Sequence, residues 1–125
     1  MIHGIGTDIV AVARLEEMYE RHGEKALDKL LSPEEYGDCR ASTAPGRFLA
    51  KRFAAKEALG KALGLGVRPP ATLPAIAVVH DAYGKPEFRY APALAAYMAE
   101  RGLTAHLSLS DERDYAVAFV VVEKA

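Results

Sequence analysis

Asp8, Glu57 and Lys61 are the residues of this sequence whose types suggest the most definite chemistry. Two carboxylates and an ammonium are the parts of a site that handles a divalent cation and a phosphate. Magnesium is commonly held by one or two carboxylates, with waters and substrate phosphates completing its shell. A lysine beside it can neutralise charge that develops on phosphate oxygens. Asp8 and Glu57 lie far apart in the chain, so only the fold can bring them together. Glu57 and Lys61 are four residues apart in a helix-forming stretch and share one face with Phe53. That pair alone is also the pattern of a solvated salt bridge worth about 0.3–0.5 kcal/mol. Ala54, Ala55, Ala58, Leu59 and Ala62 around it put Glu57 at the rim of a buried surface, where a carboxylate needs a partner. Asp8 follows Gly4-Ile5-Gly6-Thr7 and is equally suited to cap the helix that comes next.

A second group of polar residues alternates along His106-Leu107-Ser108-Leu109-Ser110. On a strand, His106, Ser108 and Ser110 share one face and the two leucines the other. Such a face can line a phosphate site or simply meet solvent. His3, His22 and His80 have no companion at ligand spacing. Gly64-Leu65-Gly66 ends a helix rather than opening one, so it reads as a cap and turn. The sequence contains no P-loop, zinc-ligand spacing, Gly-x-Ser-x-Gly elbow or dinucleotide fingerprint.

The elements that must position these groups read as follows. Ile2 to Val10 is a strand running into a turn. Ala11 to His22 is a helix with Val12, Leu15, Met18 and Tyr19 at helical spacing and Gly23 at its end. Ser32-Pro33-Glu34-Glu35 starts another helix, with proline in the first helical position and Glu35 set for a capping box. That helix ends before Pro45. Arg47 to Leu63 is the clearest helix, closed by Gly64 and Gly66. Ile76 to Val79 is a strand, Tyr83-Gly84-Lys85-Pro86 a turn and Glu87 to Tyr90 the returning strand. Pro92 and Gly102 bracket a helix, and strands at Thr104 to Ser110 and Tyr115 to Glu123 finish the chain. The order β-α-α-α-β-β-α-β-β, with short turns between consecutive strands, predicts an α+β fold with an antiparallel sheet.

The 125 residues suit one compact domain, 1–125. Half the residues are apolar (50%) and 26% are charged, the balance of a soluble globular protein. A net charge of −1 argues against a nucleic-acid binder, but Arg47, Lys51, Arg52, Lys56 and Lys61 form a local basic stretch that suits a small anionic ligand. The absence of tryptophan speaks further against a single-stranded nucleic-acid surface. With Cys39 as the only cysteine, no intrachain disulfide can form, which fits a reducing cytoplasm. The N-terminus does not read as a signal peptide, and the longest apolar run, Ala116 to Val122, is too short to span a bilayer.

Four stretches carry a family resemblance. Gly4-Ile5-Gly6-Thr7-Asp8-Ile9 with Arg14 resembles the opening motif of the small bacterial holo-[acyl-carrier-protein] synthases. Phe48 to Ala58, with Lys61-Ala62 and Gly64, resembles their long-helix signature. Gly84-Lys85-Pro86 resembles their central turn, and His106 to Asp111 their penultimate strand. The motifs occur in family order and cover essentially the whole chain. The resemblance implies the 4′-phosphopantetheinyl transferase fold and a magnesium-dependent transfer of phosphopantetheine from coenzyme A to a serine of an apo acyl carrier protein.

By family position, Asp8 and Glu57 hold the metal, and Lys61 and His106 complete the catalytic set beside the pyrophosphate. Arg52, Gly64, Gly84, Lys85, Pro86 and Ser108, with Lys61 and His106, fall where the family binds coenzyme A. Arg14, Met18 and Arg21 fall where it grips the acidic helix of its carrier. Their spacing on the first helix suits that role, since Arg14 and Arg21 are two turns apart with Met18 between them. Small members of the family form homotrimers with active sites between protomers, so the same is expected here, in the cytoplasm and without nucleic-acid or membrane partners. Two departures stand out: Tyr83 where relatives often carry asparagine, and fewer basic residues in Ser42-Thr43-Ala44-Pro45-Gly46 than some relatives carry ahead of the long helix. A coenzyme A binding module without turnover, or an oligomerising interaction protein, would lack a use for Asp8, Glu57 and Lys61 together.

Overall fold

A computed structural model describes all residues, 1–125. The chain runs β1 (Ile2–Ala11), α1 (Val12–His22), α2 (Glu24–Leu30), a 3-10 turn at Pro33–Glu35, α3 (Tyr36–Ala41) and α4 (Pro45–Leu63). It continues through a 3-10 turn at Leu73–Ala75, β2 (Ile76–His80), β3 (Pro86–Tyr90), α5 (Pro92–Glu100), β4 (Leu103–Asp111) and β5 (Tyr115–Lys124). The strands form two antiparallel sheets, one of order β1-β5-β4 and the hairpin β2-β3. This is the α+β architecture expected from the order of elements, with one addition. Helix α2 follows α1 directly, because Gly23 reverses the chain at φ 54° and its N–H closes the last turn of α1 on Tyr19. The helix expected from Ser32 onward shortens to a 3-10 turn plus α3.

Helix α4 is the centre of the molecule. Pro45 fits its first turn and Gly64, at φ 77°, closes it. Twelve of its nineteen residues are buried, so the helix is covered on nearly every side, as its small and apolar composition demands. The inner face of the three-stranded sheet packs on it with Val10, Ala116, Ala118, Val120, Val122, Leu103 and Leu107. Strand β1 alternates strictly. Gly4, Gly6, Asp8 and Val10 turn inward, whereas Ile5, Thr7 and Ile9 turn outward. The two inward glycines let β1 lie against the backbone of α4. A Cβ on Gly6 would stand 2.0 Å from the Ala58 carbonyl oxygen, and one on Gly4 2.0 Å from that of Ala62.

On another face of α4, Lys56 is wholly buried and Glu35 is 2% exposed. Lys56 Nζ donates to Glu35 Oε1 at 2.6 Å and to the Leu30 carbonyl at 2.8 Å. The same carboxylate accepts the backbone N–H of Ser32 (2.9 Å) and of Val78 (3.0 Å). Arg52 Nε lies 3.1 Å from Glu35 Oε2 but off the hydrogen-bonding line, so that contact is an ion pair. Glu35 thus fulfils the half of the capping box in which its side chain takes the Ser32 N–H. It also ties α2, the Ser32–Glu35 turn, α4 and β2 to one buried carboxylate. Burial outweighs the pull of Glu35 and lowers Lys56 to about 8.

Gly6→Ala is expected to destabilise the protein by about 3 kcal/mol, because the obstruction is backbone and cannot rotate away; chemical denaturation measures it. Lys56 supplies a test by pH. Between about 8 and its ordinary value of 10.5, the unfolded chain holds a proton that the native chain has released. Stability of the parent relative to Lys56→Met therefore rises across that window and is level below it. Denaturation midpoints taken from pH 7 to pH 10 check the sign.

Candidate active site

Because Asp8 follows Gly6 on the inward face of β1, it emerges where the strand meets the C-terminal half of α4. Helix α1 begins only at Val12, with Ala11 before it and no side-chain cap, so Asp8 does not cap that helix. Its carboxylate instead meets Lys61, whose Nζ donates to Asp8 Oδ1 at 3.1 Å and to the Thr7 carbonyl at 2.9 Å. Lys61 makes no ion pair with Glu57, its neighbour one helical turn back; it reaches across to β1.

Glu57 is half-buried on the same side of α4. Its carboxyl is pushed above the ordinary range, first by burial and then by the negative charge of Asp8; Lys61 and Arg14 oppose both. Two carboxylates from distant parts of the chain therefore face each other closely enough to repel, with one lysine and one arginine beside them. No third His, Cys, Asp or Glu joins the pair in a ligand cluster. Such a donor set fits a hard divalent cation that keeps most of its shell for water and phosphate oxygens. It does not fit a closed four-ligand zinc site.

The remaining site candidates fall into three regions. Arg14, Met18 and Arg21 line a shallow depression of about 220 Å³ on α1, together with Glu17 and His22. Arg14 stacks over Phe53 at 5.3 Å, and Arg21 pairs with Glu17 at 2.8 Å. This region adjoins Glu57 through Arg14.

Lys85, Pro86 and His106 line one groove of about 390 Å³ between the β2-β3 hairpin and β4. Gly84 occupies the preceding turn at φ 84°, a left-handed position that favours glycine. Asp81 organises that turn: its Oδ1 accepts the N–H of Tyr83 at 2.8 Å and of Lys85 at 2.9 Å, which lowers its carboxyl. An aspartate opening a glycine turn was the readable signal for this role. Tyr83 projects into solvent. His106 Nε2 lies 2.5 Å from Glu123 Oε1 on the neighbouring strand, a partner not expected from sequence because it depends on the β4–β5 register.

Arg52 sits apart from both regions, buried against Glu35 and stacked 4.4 Å from the Phe48 ring. Gly64 is the α4 cap and Ser108 lies opposite Phe119 on the exposed face of β4.

The faces of the sheet decide which of these groups one chain can bring together. Asp8 is on the inner face and His106 and Ser108 are on the outer face of the same three-stranded sheet. A single copy therefore assembles Asp8, Glu57 and Lys61, but keeps His106 on the far side of its own sheet.

Comparison with known proteins agrees with this architecture. A model described as the 4′-phosphopantetheinyl transferase superfamily matches residues 4–120. A holo-[acyl-carrier-protein] synthase of Dechloromonas aromatica is 63% identical over 125 residues, all of both chains. The crystal structure of holo-[acyl-carrier-protein] synthase from Neisseria meningitidis is similar at a TM-score of 0.95 and 46% identity, covering 99% of this chain and 100% of that one. A holo-(acyl-carrier-protein) synthase from Bacillus anthracis, in complex with CoA (3′,5′-ADP), is similar at a TM-score of 0.83 and 33% identity, covering 100% of this chain and 99% of that one. Matched nearly end to end in sequence and in fold, this chain belongs to the 4′-phosphopantetheinyl transferase superfamily.

Proposed function

We propose that this chain transfers 4′-phosphopantetheine from coenzyme A to a serine of an apo acyl carrier protein, with magnesium, and releases adenosine 3′,5′-bisphosphate. The meeting of Asp8, Glu57 and Lys61 carries the reading. The names of relatives matched over their full length support it, as does a CoA complex among the similar structures. No helix is long and apolar enough to cross a membrane, and the proposed place of action is the cytoplasm.

Asp8 and Glu57 would hold the magnesium, which when bound neutralises the pyrophosphate and makes its β-phosphorus easier to attack. The serine hydroxyl of the carrier forms a new O–P bond at that phosphorus. Glu57, directly or through a water, takes the hydroxyl proton. The bond from the β-phosphorus to the bridging oxygen breaks, and adenosine 3′,5′-bisphosphate leaves with that oxygen. Lys61 neutralises the charge that appears there. Arg14, Met18 and Arg21 meet the carrier, where charge steers and the apolar centre anchors. Arg52, Gly64, the Gly84–Pro86 turn, His106 and Ser108 meet coenzyme A.

The active unit is proposed to be a homotrimer with sites between protomers. The outer face of the β1-β5-β4 sheet supports this. Ile5 (60% exposed), Ile9 (63%), Tyr115 (51%) and Phe119 (46%) stand there without a covering layer. An uncovered apolar sheet face suits contact with further copies. A second copy also supplies His106 and the Lys85–Pro86 groove to a site built on Asp8 and Glu57.

Asp8→Asn and Glu57→Gln are each expected to lower transfer by about a hundredfold or more while leaving the oligomer intact. The mass gain of an apo carrier and light scattering measure the two effects, and chelation should mimic the variants until magnesium is restored. Mixing Glu57→Gln with His106→Ala protein under subunit exchange should return activity that neither shows alone. A site contained within one protomer would give no such recovery.

A further inference from the structure

The buried cluster around Glu35 has no role in the transfer steps, yet it is among the most heavily bonded groups in the molecule. Glu35 accepts two backbone N–H groups and the ammonium of Lys56, and it pairs with the guanidinium of Arg52. One carboxylate therefore faces two cations in a nearly dry setting, an arrangement that carries a surplus positive charge. Burial of this kind is a weak source of stability, because desolvating three ions offsets most of their attraction. A function for the cluster must lie in what it holds in place.

The free end of the cluster is Arg52. Its Nε is fully buried beside Glu35, and its plane lies over Phe48 at 4.4 Å. The guanidinium makes no hydrogen bond within the chain, and Arg52 lines a cavity of about 240 Å³ with Ser42, Arg47, Phe48, Lys51 and His80. Arg47, Lys51, Arg52 and His80 converge there; Asp111, outside the lining, pairs Arg47 at 3.1 Å and lies 3.7 Å from Lys51, so Arg52 is the permanent cation of the wall that Asp111 does not pair, and it has no hydrogen-bond partner of its own. His80 registers the field, since its pKa is lowered by burial and then by Arg52 and Lys51. A cavity of that charge suits a phosphate monoester dianion, and a guanidinium clamped on two sides is pre-organised to meet it.

We propose that Glu35 is a positioning residue for substrate binding: it fixes the Arg52 guanidinium in the wall of this cationic cavity so that a phosphate monoester on the nucleotide end of coenzyme A meets it. This rests on the reading that Arg52 serves the nucleotide end. Glu35 touches no substrate and acts only through Arg52. Its saturation by Ser32, Val78 and Lys56 serves to hold the carboxylate still, so that the remaining contact, to Arg52, has one geometry.

The test measures binding of adenosine 3′,5′-bisphosphate and of adenosine 5′-monophosphate to the full chain by calorimetry, with transfer kinetics beside it. Glu35→Gln keeps the shape of the side chain and an acceptor oxygen but removes the charge that holds Arg52. It should weaken adenosine 3′,5′-bisphosphate about tenfold and raise KM for coenzyme A similarly, while kcat at saturation moves less than about threefold. Adenosine 5′-monophosphate, which lacks the 3′-phosphate, should lose little. Combined with Arg52→Met, the loss should not add to that of Arg52→Met alone.

If Arg52→Met itself binds the bisphosphate as the parent does, the assignment of Arg52 to the nucleotide end fails, and this proposal falls with it. If Arg52→Met weakens binding but a folded Glu35→Gln does not, or if the two losses add, the proposal alone is overturned. Should Glu35→Gln not fold, Glu35→Asp carries the test. It keeps the charge but withdraws it by one methylene, so a folded Glu35→Asp with parental affinity for the bisphosphate overturns the role.

Discussion

The approach of β1 to α4 is the constraint on which the rest of the structure depends. Strands and helices pack with a layer of side chains between them, which keeps backbones apart. Here Gly4 and Gly6 remove that layer, and the carbonyls of Ala58 and Ala62 occupy the space a Cβ would need. The consequence is chemical as well as structural. Asp8 has a short side chain and cannot reach far. Only a strand drawn onto the helix lets it contact Lys61 and repel Glu57. The alternation of β1 does the remaining work, since two residues on from an inward glycine is an inward aspartate.

Helix α4 then acts as a shared beam for two separate electrostatic systems. Glu57 and Lys61 lie one turn apart and face β1, whereas Arg52 and Lys56 lie one turn apart and face Glu35. Adjacent residues on a helix are rotated by about 100° from one another, so Lys56 and Glu57 point to different surroundings although they are neighbours in sequence. One becomes a wholly buried cation and the other a half-buried acid. The small residues that let α4 be buried on nearly every side also fix it against β1 and β5.

Much of this was legible in the sequence, and the exceptions have physical causes. The order of elements, the antiparallel sheet and the caps at Gly23 and Gly64 all followed from local periodicity and turn chemistry. Helix α2 did not, because Glu24–Leu30 is short and its polar residues mask the buried Ala26, Leu27 and Leu30. Asp8 stood open between a capping and a chemical role, and the i+4 spacing of Glu57 and Lys61 suggested a pair that the fold does not make. Both outcomes hinge on a contact between β1 and α4 that no local window contains. The burial of Lys56 was hidden for a similar reason. A lysine flanked by Ala55 and Glu57 looks solvated until its partner, on a turn far earlier in the chain, is seen to be buried too. His106 and Glu123 meet through strand register, again a long-range fact.

The two faces of the β1-β5-β4 sheet carry the argument one step further. The inner face is filled by α4 and holds Asp8 at its edge. The outer face joins His106 and Ser108 with an exposed row of Ile5, Ile9, Tyr115 and Phe119. An isolated domain would gain nothing from leaving such a row in water, because covering it removes apolar surface at about 25 cal/mol per Å². A second copy of the chain laid against that face would bury the row. It would also put polar groups from one copy beside the acids of another without lengthening either. For a chain of 125 residues, whose own core is taken up by α4 and its surroundings, the proposed assembly would supply a second wall for the site without a longer chain. On the proposed trimer, the apolar row and the division of polar residues between sheet faces would be two expressions of one requirement: a wall facing Asp8 and Glu57 supplied by another copy of the chain.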